Sequence, residues 1–352
     1  MTPTSWKTKN QGNLISVKGR VLLISPSTFN YHRSITTTLS KLGYNVTWWD
    51  ERAYNNFLYK LSLRAFPKLT KKYFDKPYID KLSELDSQSI THVLIIKGEG
   101  ISRRVALEMR KKLTNASFGL YLWDSLENVN GVINILDIFD SISTFDPYDS
   151  KDFNWVYRPL FSRNLQFSKK VKTIPNRYDW CFIGSVHSDR HRVIHRLRKS
   201  SCKDRSSFVF CYIQSPLVLL FRKIIDWTLW FAPKGTLSTQ SMSAVDVQHY
   251  FNLSAAVLDI EHPKQRGLTI RTIETLISEK KLITTNKNII NSSLYDSSRV
   301  DIINRGDPQL RNDFFDSPFL PIPDFLKYYY SCDGWISELL DLQDLNKKIG
   351  KA

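Results

Sequence analysis

The amino-acid sequence predicts two successive α/β domains, each built on a parallel β-sheet covered by helices. Two observations lead to this fold class. Short apolar runs alternate with segments of helical period along most of the chain, which is typical of βαβ units. The alternation stops at 157–177, a stretch with several basic residues, and then begins again. A length of 352 residues suits two such domains.

The first half of the chain shows strand and helix signals in close succession. Residues 19–26 form an apolar run between Gly and Pro, as a buried parallel strand does. A helix over 31–42 ends at Gly43, and a strand over 44–49 completes a βαβ unit. The same order continues with strands over 92–96, 118–123 and 140–145 and a helix over 103–113.

The second half repeats the pattern. Strands are predicted over 179–184, 208–212, 255–260, 281–285 and 300–303, and helices over 191–197 and 268–278. We therefore expect an N-terminal domain over 1–160, a C-terminal domain over 161–325, and a helical tail over 326–352 that packs back on the N-terminal domain. Ligands of open α/β sheets bind at the carboxyl ends of the strands, so the sequence predicts a site in the cleft between the domains.

The charge of the chain predicts an anionic partner. Fifty Lys and Arg residues against 34 Asp and Glu residues give a net charge of +16 and a pI near 9.6. Residues 151–235 hold 17 basic and 5 acidic residues, which is an excess of 12. This asymmetry is typical of a surface that docks on nucleic acid, an anionic membrane or a phosphorylated substrate, and a merely solvated face is the alternative.

The cysteines and the apolar segments indicate a compartment. Cys181, Cys202, Cys211 and Cys332 show neither zinc-site spacing nor the density of a secreted disulfide scaffold, which favours a reducing cytoplasm. Residues 1–13 lack the apolar region of a signal peptide, and no run of about 18 apolar residues occurs. We expect a protein that is neither exported by a signal peptide nor integral to a membrane.

One segment, 215–233, is strongly apolar and also carries charge. It is too short and too charged to span a bilayer, and its composition predicts an interfacial helix beside an anionic leaflet. A buried core helix is the alternative. The expected docking residues are Leu219, Phe221, Arg222, Lys223, Trp227 and Trp230.

Two strand-to-helix turns of the second half are candidate anion sites. Gly184 and Ser185 end a strand just before a basic helix that carries Arg190, so the first N–H groups of that helix can meet a phosphate. The turn matches neither the P-loop nor GxGxxG, which argues against kinases and simple dehydrogenases. A second polar loop follows the strand over 255–260, and its residues Arg271 and Glu274 either serve a ligand or form an ion pair on a solvated face.

The second loop carries a resemblance. Gln265-x-Gly-Leu-x-x-Arg-x-x-Glu274, followed by the segment 281–286 and preceded by the motifs 121–125, 145–146 and 157–159, resembles the bacterial glycosyltransferases of lipopolysaccharide and capsule assembly. The similarity covers about residues 20–340. It implies the GT-B fold, two Rossmann-like domains facing a central cleft, and a nucleotide sugar as co-substrate without a further cofactor.

The resemblance also implies a donor site. It gives Glu274 the donor ribose and gives Arg271, Gly267 and Gln265 contacts with the diphosphate. Retaining members have a paired E-x7-E signature, and here Arg266 stands where the first Glu would be, so an inverting reaction is favoured. The full expected donor set is Gly184, Ser185, Arg190, His262, Gln265, Gly267, Leu268, Arg271 and Glu274.

An inverting transferase needs a base for the acceptor hydroxyl, and it should follow a strand of the N-terminal domain. Glu99 lies between two glycines, which predicts open access for its side chain, so it is preferred. Asp124 also qualifies, although it suits the N-cap of a following helix.

A metal site is not expected. No DxD triplet occurs, and Pro147 predicts a turn at 146–149. His187, His191 and His195 are spaced four apart and predict a basic helix face rather than metal ligands.

The function that unites these features is transfer of a sugar from a nucleotide sugar to a lipid-linked saccharide or lipopolysaccharide. We expect a cytoplasmic, peripheral enzyme on the inner face of the inner membrane. His262-Pro263 resembles a dipeptide of some transferases that use CMP-linked Kdo or sialic acid, so a CMP-sugar donor is one alternative. A basic nucleic-acid-binding protein without catalysis is the other, but no helix-turn-helix, RNP, KH or zinc-finger pattern occurs, and a nucleic-acid partner is not expected.

Overall fold

Two parallel β-sheets organise the chain. The computed structural model describes residues 18–27, 30–52, 75–129, 131–163, 176–200, 204–233 and 235–349, and within these residues each sheet has six strands. Every pair of neighbouring strands is parallel in both sheets. The predicted α/β class with two domains is confirmed. The basic stretch 169–172, Cys202 and Lys234 lie outside the described residues.

The first sheet has the order β2-β1-β3-β4-β5-β6. Its inner strand β1 is buried from Val21 onward and apolar over 21–24, as a strand with a neighbour on each side and helices above and below must be. Its strands are β1 Gly19–Ser25, β2 Tyr44–Asp50, β3 Ile90–Ile96, β4 Ser117–Leu122, β5 Ser141–Thr144 and β6 Val156–Tyr157. Its helices are α1 Tyr31–Lys41, α2 Lys76–Glu84, α3 Arg103–Lys112 and α4 Pro147–Phe153.

The second sheet has the order β12-β11-β10-β7-β8-β9. Its strands are β7 Tyr178–Ser185, β8 Ser207–Tyr212, β9 Leu237–Ser238, β10 Ser254–Asp259, β11 Lys281–Thr284 and β12 Val300–Ile302. The helices that follow along the chain are α5 Arg190–Lys199, α6 Pro216–Ile225, α7 Ala244–Asn252, α8 Ile270–Ile277, α9 Asp324–Tyr329 and α10 Cys332–Ile349. Short 3-10 helices occupy Ser87–Ser89, Leu126–Asn128, Val132–Ile138, Trp227–Phe231 and Lys287–Asn291.

Helix α10, at the end of the chain, lies against the first sheet. It contacts α1, β4 and β5. Thr38 Oγ1 donates a hydrogen bond to Asp333 at 2.8 Å, and the Arg158 guanidinium lies 2.6 Å from Glu338. Trp335, with no exposed surface, belongs to a buried apolar cluster that also contains Tyr121 and Leu268. This cluster spans both domains and holds them together.

One sequence expectation fails locally, and some elements were not predicted at all. Pro147 does not make a turn: it opens helix α4, where its missing N–H costs nothing. Asp146 caps that helix by accepting hydrogen bonds from the backbone N–H groups of Tyr148 (2.9 Å) and Asp149 (3.4 Å). Helices α2 and α7 and the edge strands β6 and β9 were not predicted. Helix α7 has a weak helical period, and two residues are too few to show the alternation of a strand.

The apolar segment 215–233 forms helix α6 and the 3-10 helix Trp227–Phe231. No residue of α6 is buried, so the alternative of a core helix is wrong. Of the helices within the described ranges, none is both long enough and apolar enough to cross a membrane.

Candidate active site

A cleft of about 500 Å³ lies where the carboxyl ends of the two sheets face each other. Seven of the predicted site residues line it: Asp124, Gly184, Ser185, Arg190, Gln265, Arg271 and Glu274. Four do not: Glu99, His262, Gly267 and Leu268. The wall also contains residues that sequence reasoning missed, among them Tyr31, Arg52, Lys97, Trp123, His187 and Thr269.

The start of helix α8 is fixed to the end of strand β10. The buried Asp259 carboxylate accepts hydrogen bonds from Thr269 Oγ1 at 2.5 Å and from Thr272 Oγ1 at 2.7 Å. Thr269 caps the helix by accepting the N–H of Thr272 at 3.0 Å. This bonding holds the helix N-terminus, with its positive dipole end, at the cleft wall beside Arg271.

A second helix start lies close by. Arg190 is the first residue of α5, and its Nε donates a hydrogen bond to the carbonyl of Ile260 at 2.6 Å. Its Nη1 donates to the carbonyl of Ser185 at 3.3 Å. Two helix N-termini and two guanidinium groups therefore converge on one side of the cleft, an arrangement that suits a diphosphate.

The pKa of His187 reflects the positive potential at the basic wall of the cleft. Burial, together with the charges of Arg190, His262 and Arg222, lowers its pKa to about 3. The His187 and His262 rings lie 5.7 Å apart. The predicted histidine face is wrong, because α5 begins after His187, and His191 instead is buried and bonds Thr228 Oγ1 at 2.9 Å.

Glu274 lines the cleft from α8 and is almost fully buried. Arg163 Nε donates a hydrogen bond to its Oε1 at 2.8 Å, and the same guanidinium lies 4.7 Å from the centre of the Tyr31 ring. Arg271 lies over the Phe251 ring at 4.5 Å. The alternative of an Arg271–Glu274 ion pair is therefore wrong. Arg163 was missed because it is 111 residues away from its partner in sequence.

Gly267 and Leu268 belong to the domain interface. A Cβ at Gly267 would lie 2.5 Å from ring carbons of Phe145 and 2.7 Å from its carbonyl oxygen, so glycine is needed for the close approach of the two domains. Leu268 is 4% exposed and lies in the shared apolar cluster. These two residues thus pack at the domain interface next to the cleft and do not line it.

Across the cleft, Lys97 joins two carboxylates of the N-terminal domain. Its Nζ lies 3.1 Å from Glu99 Oε2 and 3.1 Å from Asp124 Oδ2. Burial lowers the pKa of Lys97, but Asp124, Glu99 and Glu51 outweigh it and leave the pKa raised, so Lys97 is a cation. Its φ of +76° is unusual for a residue with a side chain, and such backbone strain is concentrated at functional sites.

The predicted open access of Glu99 is wrong. Its side chain is 11% exposed, whereas that of Asp124 is 41% exposed and lines the cleft. The glycines around Glu99 serve close packing, since a Cβ at Gly100 would lie 2.0 Å from the carbonyl oxygen of Glu51. The alternative N-cap role of Asp124 is not seen, because Ser125 holds that position before Leu126–Asn128.

Glu51 lies beneath this cluster with no exposed surface. Its Oε1 accepts the N–H of Gly100 at 3.1 Å, and within the described part of the chain its Oε2 has no hydrogen-bond partner. Burial raises its pKa to about 7 against the lowering effect of Lys97. Glu51 thus takes up a proton near neutral pH.

The described residues contain no group of three or more His, Cys, Asp or Glu side chains that could hold a metal ion. Metal independence stays a prediction.

Among known proteins, solved structures support the fold. No protein-family model matches the sequence, and no curated protein is significantly similar to it. Solved structures do match over nearly the whole chain. An alpha-glucosyltransferase in complex with UDP and a 13-mer DNA superposes with a TM-score of 0.54 at 12% identity, covering 93% of this chain and all of that one.

Two further structures match equally well. HepE from Anabaena, in complex with UDP and glucose, has a TM-score of 0.53 at 10% identity and covers 95% of this chain and 98% of its own. UDP-GlcNAc 2-epimerase from Neisseria meningitidis, bound to UDP-GlcNAc, has a TM-score of 0.51 at 10% identity, with coverages of 92% and 99%.

The chain has the GT-B fold. Its two Rossmann-like domains meet at the cleft described above, and this GT-B cleft has a basic wall on the C-terminal domain and a carboxylate, Asp124, on the N-terminal domain.

Proposed function

We propose that the protein transfers a sugar from a nucleotide sugar to an acceptor hydroxyl, with inversion and without a metal ion. The observation that carries this proposal is the polarity of the cleft. Two helix N-termini with Arg190 and Arg271 face Asp124 across a space of about 500 Å³, which suits a diphosphate leaving group on one side and a base on the other. The bound UDP or UDP-sugar in three proteins of similar fold supports the donor class.

The donor diphosphate binds at the starts of α5 and α8, where Arg190, Arg271 and Gln265 line the cleft. These cations stabilise the negative charge that grows on the diphosphate as the sugar bond breaks. Glu274 accepts hydrogen bonds from the ribose hydroxyls. Arg163 donates a hydrogen bond to the same carboxylate, so in this proposal Glu274 accepts from Arg163 and from the ribose together.

Asp124 acts as the base in this proposal. The acceptor hydroxyl attacks the anomeric carbon, its proton passes to the Asp124 carboxylate, and the bond between that carbon and the diphosphate oxygen breaks. Lys97 orients Asp124, and Glu99 in turn orients Lys97. The exposure of Asp124 and the burial of Glu99 reverse the order of preference that the sequence indicates.

The acceptor is a lipid-linked saccharide or lipopolysaccharide, and the enzyme works as a peripheral protein on the inner face of the inner membrane. The resemblance of the Gln265–Glu274 segment to transferases of lipopolysaccharide and capsule assembly supports this assignment. The exposed apolar residues of α6 support it independently.

Thermal unfolding with UDP, GDP, dTDP and CMP tests the donor site, because a bound ligand raises the melting temperature. We expect one nucleoside diphosphate to stabilise the wild type, and a response to CMP alone would favour the CMP-sugar alternative. Glu274→Gln should lose at least tenfold in nucleotide affinity, about 1.4 kcal/mol. Arg163→Gln is the matched control: it breaks the same ion pair but should keep nucleotide affinity.

Equal losses in the two variants would show that the Arg163–Glu274 pair serves the domain interface rather than the ribose. Absence of stabilisation by all four nucleotides would contradict the proposed function.

A further inference from the structure

A continuous apolar surface projects from the C-terminal domain. It consists of α6 and the 3-10 helix Trp227–Phe231, and we call it the docking surface. Leu217 is 79% exposed, Ile224 75%, Phe231 67% and Trp227 64%. Leu217, Leu220, Phe221 and Ile224 follow helical spacing, so they form a stripe on one side of α6. A stripe of this kind normally faces a core, and here it faces outward.

The docking surface is firmly attached to the domain beneath it. Asp226 accepts hydrogen bonds from the N–H of Thr228 at 3.1 Å and from its Oγ1 at 2.6 Å, and His191 of α5 bonds the same hydroxyl at 2.9 Å. Leu229 is 1% exposed and anchors the 3-10 helix in the domain. These buried neighbours therefore hold the 3-10 helix, and with it the C-terminal end of α6, on the domain.

Basic residues surround the apolar side chains. Lys223 Nζ lies 4.4 Å from the centre of the Trp230 ring, and Arg192 of α5 donates a hydrogen bond to the carbonyl of Ile225 at 3.1 Å. Along 190–233 the acidic residues are Asp204 and Asp226, and Asp226 is buried and paired with Arg192 at 3.3 Å. The rim of the docking surface is consequently cationic.

We infer that the docking surface inserts its apolar side chains into the headgroup region of an anionic lipid bilayer. Exposed aliphatic side chains gain free energy on leaving water, Trp prefers the interface because its ring is amphipathic, and nearby Lys and Arg are attracted to anionic headgroups. A protein partner without an excess of acidic groups would offer no negative charges to pair with the basic residues of the rim.

The docking surface lies at the cleft end of the C-terminal domain. Helix α6 follows strand β8 at the carboxyl edge of the second sheet, the edge that also carries Ser185 and Arg190. Arg222 is near enough to the cleft residue His187 for its charge to lower that pKa. A docked protein therefore presents the mouth of its cleft to the membrane. If the proposed function holds, the acceptor enters from the bilayer with its lipid part still embedded.

Vesicle flotation tests the docking. We expect the wild type to bind vesicles of phosphatidylcholine with about 30% phosphatidylglycerol, to bind pure phosphatidylcholine at least tenfold more weakly, and to lose affinity as salt screens the charges. The triple variant Leu217→Ser, Phe221→Ser, Ile224→Ser should bind the anionic vesicles at least tenfold more weakly. Arg222→Gln with Lys223→Gln should reduce binding to the anionic vesicles alone.

The matched control removes exposed apolar side chains elsewhere. Val245 and Phe325 are 77% and 71% exposed, like the residues of the triple variant, but lie outside the docking surface. Val245→Ser with Phe325→Ser should bind vesicles like the wild type. Melting temperature and UDP affinity, measured on every variant without acceptor, separate a folding defect or a failed donor site from a failed docking surface.

Three results would overturn the inference: equal vesicle binding by the wild type and the triple variant; a dimer of the wild type that the triple substitution dissociates, which assigns the surface to a second copy; or duplex DNA binding that the triple substitution abolishes while vesicle binding is unchanged.

Discussion

At the scale of single residues, the site depends on which carboxylate reaches the cleft. Glu99 and Asp124 both follow strands of the N-terminal domain, and both lie 3.1 Å from Lys97. They differ in exposure, because the chain at Glu99 turns tightly against the carbonyl of Glu51 while Asp124 follows β4 at the cleft wall. The glycines beside Glu99 and the strand pattern do not predict this difference in exposure from the sequence.

Asp124→Asn should abolish most turnover and keep nucleotide affinity, because the amide cannot accept the acceptor proton. Loss of a general base typically costs a factor of about 100 to 10,000. Glu99→Gln should cost about tenfold or less, since Lys97 keeps its contact with Asp124. Sugar transfer from the nucleotide sugar found by the thermal screen measures both, and a larger loss in Glu99→Gln would return the base to Glu99.

Glu51 makes folding stability depend on pH. Its pKa rises from an ordinary 4.5 to about 7 in the folded protein, so the unfolded chain loses this proton first. The contribution of Glu51 to the free energy of unfolding is fully present below about pH 4.5. It is lost as the pH rises through about 7, which is a change of about 3 kcal/mol.

Glu51→Gln should remove that dependence. The quantity to compare is the free energy of unfolding of the variant minus that of the wild type. This difference should be about 3 kcal/mol larger at about pH 8 than at about pH 4.5. Urea unfolding at the two pH values measures the difference, and parallel behaviour of the two proteins would show that Glu51 is not the group that titrates.

At the scale of elements, the loop from β10 to α8 carries two tasks at once. At its ends, the hydrogen bond from Thr269 to Asp259 fixes the start of α8. In its middle, Gly267 packs against Phe145 of the N-terminal domain at the domain interface. The sequence pattern predicts the helix and its polar loop because hydrophobic period and capping are local. It cannot assign Gly267 to an interface, since Phe145 is more than 100 residues away.

Gly267→Ala should destabilise the protein by about 1–3 kcal/mol, because the added Cβ would overlap backbone as well as ring atoms of Phe145. Nucleotide affinity should fall too, since the loop leads into the α8 N-terminus. Gly306→Ala is the control: its Cβ would meet the Asn304 side chain at 3.3 Å, and stability should change by less than about 0.5 kcal/mol. Urea unfolding and nucleotide titration measure both effects, and a wild-type-like Gly267→Ala would contradict the close contact.

At the scale of the whole molecule, the last helix joins parts of the chain that lie far apart in sequence. Trp335 of α10 meets the ring of Tyr121 at 4.7 Å and that of Phe161 at 4.6 Å. The buried cluster around it continues to Leu268 and Ile273 of the C-terminal domain. Helix α10 thus completes the core of the N-terminal domain beside the domain interface.

Trp335→Ala should lower the free energy of unfolding by about 3–5 kcal/mol, as large-to-small changes in a core do. Leu345→Ala on the same helix removes a side chain that is 55% exposed and should cost less than about 0.5 kcal/mol. Equal stability of these two variants in urea would show that α10 does not hold the core together.

The sequence by itself determined the two α/β domains and the strand ends that carry the site, whereas for the segment 215–233 it left an interfacial helix and a core helix both open, and the structure decided between them. Each of these follows from local periodicity, turn residues or charge, which adjacent residues encode. The tertiary structure decided which side chains meet: Arg163 with Glu274, Lys97 with Glu99 and Asp124, and Gly267 with Phe145. Such contacts depend on how two sheets and the last helix pack. The same hydrophobic pattern is compatible with many pairings of distant elements, so it does not specify these contacts.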